Sequence, residues 1–177
     1  MSARTVFEVT EALVVLTHIN NRLEKHGEEE VLAVDLDFEW ETNNGALAMF
    51  APTLRSAMYS KDGGPQQALI EDPDHLVALR FPQLSPLKWS GGEISGGHLT
   101  FHCGVTPKSH IHIEGCKVHK YRLECKEGGT VVVRFQVQCH PTEGQVGKFT
   151  KFFTDKQCTI SVAPPDAGGA EDDDAPK

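Results

Sequence analysis

With 177 residues, 39% hydrophobic and 24% charged, the chain has the make-up of a globular protein and is long enough to bury a sizeable core. No apolar run approaches the roughly 20 residues a membrane-spanning helix needs, and no apolar stretch with a small-residue cleavage site follows Arg4, so an export signal is not expected. The formal net charge of -8 is unevenly spread: residues 1–107 hold seven Lys/Arg against fifteen Asp/Glu, residues 108–165 nine against five, and residues 166–177 one against five. That asymmetry bears on partners and steering, not on fold.

In chain order, residues 2–9 and 11–19 read as strands from Val6, Val9, Leu13 and Val15. A polar turn at Lys25 to Glu30 leads into the clearest strand. There Leu32, Val34, Leu36, Phe38 and Trp40 alternate with Ala33, Asp35, Asp37, Glu39 and Glu41, giving one apolar and one acidic face. Four carboxylates in file must meet water or cations, because stacked like charges on a dry face are costly. They are spaced too far apart for all four to share one ion. Thr42-Asn43-Asn44-Gly45 caps a short helix carrying Leu47, Met49, Phe50, Leu54 and Met58, with a break near Pro52. Lys61 to Gln67 reads as a loop, and Leu76 to Trp89 as short extended pieces interrupted by Pro82 and Pro86.

The second half is denser in strands. Leu99, Phe101 and Cys103 share one face, and Ile111 and Ile113 continue it after a turn. A long hairpin, Cys116 to Lys126 and Thr130 to Cys139, closes at Glu127-Gly128-Gly129. Glu143 to Phe153 reads as a helix and Gln157 to Val162 as the last strand. The fold class is α+β, mainly antiparallel β-sheet with two short helices. A duplicated β-β-α unit is read in the order strand, turn, strand, helix at Leu13 to Met58 and again at Cys116 to Phe153. One domain is expected over residues 1–163, followed by an acidic tail over 164–177 that buries too little apolar area to order itself.

Five cysteines at wide spacing, with no Cys-x-x-Cys pair and no export signal, favour reduced thiols and a cytoplasmic location. Phosphate-loop, dinucleotide-binding, nucleophile-elbow and zinc-protease motifs are all missing, so no enzyme, cofactor or metal site is assigned. His102, His110 and His112 would approach one another if Thr100 faces His112 across the turn. Three imidazoles could hold zinc, but a solvated histidine face is the expected reading. The basic hairpin carries Lys117, His119 and Tyr121 on one alternating face and Lys120 and Arg122 on the other, with Arg134, Lys148 and Lys151 adding charge. Cations beside aromatic rings suit single-stranded nucleic acid, where charge tracks phosphate and rings stack on bases. The expected nucleic-acid-binding set is therefore Lys117, Lys120, Tyr121, Arg122, Arg134, Lys148 and Lys151.

Val34-Asp35-Leu36, then Leu47 to Tyr59 (LAMFAPTLRSAMY), His75 to Pro82, Gly115 to Val118 and Lys126 to Val131 together resemble a family of uncharacterised tailed-bacteriophage and prophage proteins, across most of residues 10–163. The resemblance brings no activity and no site residue with it. It implies an early-region phage product acting in the bacterial host cytoplasm, where recombination and replication accessories and counter-defence proteins are encoded together. Single-stranded DNA binding is the leading expectation. The alternative is a counter-defence protein that inhibits a host protein or sequesters a nucleotide signal. Edge strands make a homo-oligomer an expectation as well.

Overall fold

The computed structural model describes residues 6–61, 76–84 and 86–166. The first strand, β1 (Val9–His26), forms a hairpin with β2 (Glu29–Asn43), turning through Gly27 and Glu28, with Gly27 at a φ of 70° that suits a two-residue loop. A 3-10 turn (Asn44–Met49), helix α1 (Leu54–Met58) and a small ribbon of β3 (Tyr59–Ser60) with β4 (Ala78–Leu79) follow. Then come β5 (Leu87–Trp89), β6 (Ile94–Phe101), β7 (Ile111–Cys125), β8 (Thr130–Cys139), helix α2 (Glu143–Asp155) and β9 (Gln157–Ala163).

Six of these strands close on themselves. The antiparallel ladder runs β7-β6-β9-β1-β2-β8 and returns to β7, while β5 adds to β7 beyond the end of β6. Closure removes the open edges of those paired segments. The hairpin-linked β6-β7-β8 followed by β9, which returns beside β6, has Greek-key order.

Each of the two long connections has to cross the barrel. In the ring β2 lies opposite β6, and β8 lies opposite β9. The segment from β2 to β6 brings Leu47, Phe50, Met58 and Tyr59 into the core, where Phe50 meets Phe7 and Tyr121 at centroid distances of 5.8 and 5.4 Å. The Tyr59 hydroxyl reaches the carbonyls of Lys126 and Thr130, so this plug is hydrogen-bonded as well as apolar. From β8 to β9, α2 lays Phe149 and Phe152 on Phe101, at 5.1 and 4.9 Å. Thr142 and Gln145 form a capping box that starts this helix where β8 has just ended. The interior between the plugs is filled by Val14, Leu16, Leu36, Phe38, Leu99, Leu123, Phe135, Val137, Ile160 and Val162, all at most 2% exposed. Fully burying such a side chain contributes about 1.5–3 kcal/mol before entropy is counted, so the barrel interior is the principal source of stability.

Several expectations are revised. Of the predicted strand at 2–9 only Val9 is strand: residues 6–8 are not, and residues 2–5 lie outside the described residues. Val9 and the predicted strand at 11–19 belong to one strand, kinked by a bulge at Glu11, whose φ is 46° and whose amide donates to Ser161. That strand also runs on to His26, because the hairpin with β2 supplies its hydrogen bonds well past the barrel. The single helix expected over Leu47 to Met58 is a 3-10 turn and a short α-helix, separated at residues 50–53 where Pro52 intervenes. Most of the predicted loop at Lys61 to Gln67 and the tail beyond Asp166 lie outside the described residues. Among the described residues no helix is long and apolar enough to cross a membrane.

Candidate nucleic-acid interface

The outer face of β2, β8, β7 and β5 carries charge in columns. On β2 the acidic file Asp35, Asp37 and Glu39 points outward, as its alternation requires, and each member is met from a neighbouring strand. Asn20 and Arg22 donate to Asp35, Gln136 donates to Asp37 at 2.7 Å, and Arg134 donates to Glu39 at 2.8 Å. Burial alone would raise the Asp35 carboxyl pKa, but the hydrogen bonds from Arg22 and Asn20 outweigh it and hold the group below its usual range. Within the sheet, Asp35 and Glu39 thus meet a guanidinium each, while Asp37 meets the neutral amide of Gln136.

The basic column lies on β7 and β5. Lys88 pairs directly with Arg122, and Arg122 pairs on its other side with Arg134. Arg134 is neutralised by Glu39 and Glu124, both at 2.8 Å, which withdraws it from solution partners. Lys117 lies 3.1 Å from Glu93 and is half-covered. Lys88, Lys120 and Arg122 are exposed, and no acidic group among the described residues lies within ion-pair distance of any of them. Lys88 was not singled out in the sequence, although Leu87-Lys88-Trp89 shows the alternation that turns it outward.

Tyr121 is corrected outright. Unbroken alternation places it beside Lys117 and His119 on the wet face, yet it is 1% exposed, packed against Phe7 and Phe50, with its hydroxyl on the carbonyl of Gly92. The cause is a one-residue bulge. His119 pairs with Gln136 but Arg122 with Arg134, and Lys120 takes the extra position at a φ of 58°. Every residue after the bulge changes face, so Tyr121 and Leu123 turn inward while Arg122 turns out. Tyr121 is not placed to stack on a base.

Lys148 and Lys151 are likewise not part of the strip. They lie on α2 near enough to Cys103 to act on its thiol, beside the Ile111 end of β7. Arg122 is eleven residues further along that strand, roughly 35 Å of extended chain. The seven expected residues thus divide into Lys120 and Arg122, open on β7, Lys117 beside Glu93, an internally paired Arg134, a buried Tyr121 and a distant helical pair.

The histidine register is as expected: Thr100 pairs with His112, and the rings of His102 and His110 are 4.7 Å apart. Their nitrogens do not converge. His102 Nε2 bonds the Ser161 hydroxyl at 2.7 Å, and His112 Nδ1 bonds the Thr100 hydroxyl at 3.0 Å. A shallow pocket lined by Phe7, Met49, Phe50, Trp89, Gly92 and Tyr121 has room for about one water molecule. That is far too little to bury a small ligand.

No protein-family model, curated protein or solved structure matches the chain. What remains is the surface itself: a barrel with an unneutralised cationic strip over β5 and β7, and a β1–β2 arm that leaves the barrel at the α2 end. Past Leu16, β1 pairs only with β2, and before Val34, β2 pairs only with β1.

Proposed function

We propose that the protein binds nucleic acid through its phosphates, with single-stranded DNA as the ligand and phage recombination or replication as the setting. The carrying observation is the directly opposed pair Lys88 and Arg122, extended by Lys120 and Lys117. Like charges placed opposite one another in a sheet are destabilising. An unrelieved pair of this kind is what an anion-binding surface needs and what a merely solvated face has no reason to keep. Tyr121 has no part in it, so affinity comes from charge and is expected to fall steeply with salt. Overall acidity opposes approach by a polyanion, which makes the strip's local field decisive.

The test is fluorescence anisotropy of the full-length chain against labelled single- and double-stranded oligonucleotides at two salt concentrations. Salt-sensitive binding that is lost in the charge-reversed variant Lys88→Glu/Arg122→Glu supports the reading. Binding that is unchanged by that variant, or absent at low salt, sinks it.

A second reading is favoured by the arm. Its outer backbone edges have no strand partners among the described residues, and Leu23 on it is 66% exposed. An open ribbon edge suits strand addition by a protein partner, either a host protein inhibited by a counter-defence factor or a second copy of this chain. The internal β-β-α repeat belongs with these proposals: β1–β2 runs into the 44–58 segment and β7–β8 into α2, and the two hairpins lie side by side through β2 and β8.

A further inference from the structure

Three side chains that play no part in the cationic strip converge along the β1–β2 arm beside the end of β8. Glu24 and His26 are two residues apart on β1 and share a face. His140 immediately follows β8, where the chain turns toward the cap of α2. One donor atom from each lies within 4.8 Å of the other two: Glu24 Oε2 is 3.4 Å from His26 Nε2 and 3.0 Å from His140 Nε2. The imidazole rings stand nearly perpendicular, with centroids 6.0 Å apart. We propose that Glu24, His26 and His140 form a site for a divalent transition-metal ion, zinc by its donor set, that fastens the β1–β2 arm to the junction of β8 and α2.

Geometry and chemistry agree on this. A tetrahedral zinc ion with bonds near 2.1 Å separates its ligand atoms by roughly 3.4 Å. Two of the separations here are already at or below that value, and both imidazoles are exposed enough to rotate. Two neutral imidazoles with one carboxylate is a combination that suits zinc, and it leaves a fourth position for water or for a partner's side chain. The histidine trio at His102, His110 and His112 lacks this convergence, since two of its rings are turned onto hydroxyls.

The carboxylate is also oriented from behind. Arg22 Nη1 donates to Glu24 Oε1, which leaves Oε2 to face the rings. Arg22 is in turn held by Asp35, at 2.9 Å from Nη2 and 3.1 Å from Nε. Outer partners of this sort fix a metal ligand's direction. Because Asp35 cancels Arg22, Glu24 still presents a net negative charge, and Glu28, Glu29 and Glu30 follow at the arm's tip. A cation arriving there meets a favourable field.

The ion would join residues 24 and 26 to a residue more than a hundred positions later. It would bind only the folded arrangement and so raise apparent stability by mass action.

The experiment is a Co(II) and Zn(II) titration of full-length protein purified without a polyhistidine tag, read by cobalt visible absorption, calorimetry and melting temperature. The expected result is one ion per chain, a tetrahedral cobalt spectrum without a thiolate charge-transfer band, and a rise in melting temperature with zinc. His26→Asn and His140→Asn should each weaken binding at least about tenfold, whereas His110→Asn should leave it unchanged. Circular dichroism of the metal-free variants checks that they fold, and Glu24→Gln provides a milder third variant. Absence of saturable binding, a thiolate band that survives all three changes, or equal loss with His110→Asn would each overturn the assignment.

Discussion

Lys88 and Arg122 face each other directly across the β5–β7 ladder, and no acidic side chain among the described residues neutralises either one. One pair to the side, Arg134 is held between Glu39 and Glu124, so the same sheet relieves one arginine and leaves the other bare. If the bare pair is kept for anion binding, function and stability pull in opposite directions here. Arg122→Glu should raise stability by about 0.2–1 kcal/mol, since an opposed like pair becomes an opposed unlike pair. The same change should weaken oligonucleotide binding. Chemical denaturation and anisotropy on one protein preparation check both. A variant that loses stability and keeps its affinity contradicts the reading of this pair.

Tyr121 gives a sharper separation of roles. Its ring lies between Phe7 and Phe50, and burial drives its phenol pKa well above the ordinary value. Tyr121→Phe keeps the ring and deletes the hydroxyl that reaches the Gly92 carbonyl. The expected cost is about 0.5–1.5 kcal/mol, the net worth of one hydrogen bond, with no change in nucleic-acid affinity. Lost affinity at unchanged stability would return Tyr121 to the binding surface.

The contrast between Trp40 and Tyr121 shows what could be read from sequence. On β2 alternation is unbroken from Leu32 to Glu41, and the structure keeps both faces as written, including the acidic one. The existence of the β7–β8 hairpin, α2 and β9 was legible from local periodicity and from the turn glycines Gly128 and Gly129. Tyr121 was not legible, because a bulge is one residue of extra chain with no composition of its own. Lys120, a residue with a costly positive φ, hides it further. Closure of the barrel was equally hidden, since which strands become neighbours is decided by long-range pairing. The Glu24, His26 and His140 grouping combines both difficulties. It needs β1 to outrun its expected end and the chain to return 116 residues later.

His119 allows a test by pH. Burial, and then the positive charges of Lys117 and Lys120, hold its imidazole below the ordinary pKa. The unfolded chain therefore takes up a proton that the folded chain resists. Stability contributed by this residue is complete above the unfolded value of about 6.5 and is lost as pH falls from there through the lower folded value. His119→Gln removes the titration while keeping a polar neighbour for Gln136, which pairs with it across the ladder. Relative to the variant, the wild-type protein should melt progressively lower between about pH 7.5 and pH 5. A difference in melting temperature that stays constant over that range would refute the assignment.

The five free cysteines supply a test of the barrel itself. Cys116, Cys139 and Cys158 are buried in it, and burial pushes the Cys116 and Cys158 thiols up to about 12 and raises Cys139 as well. Thiolate is the reactive form, so near neutral pH these three are protected twice, by access and by protonation. Cys103 and Cys125 are partly buried and less completely protected. Labelling with an aromatic disulfide at about pH 8 should modify those two first. The remaining three should react only as fast as the barrel opens, at a rate that mild denaturant accelerates in step with global unfolding. Early labelling of Cys116, on β7 opposite Gly97, would mean that the β6–β7 seam opens by itself and that the ring is not closed there in solution.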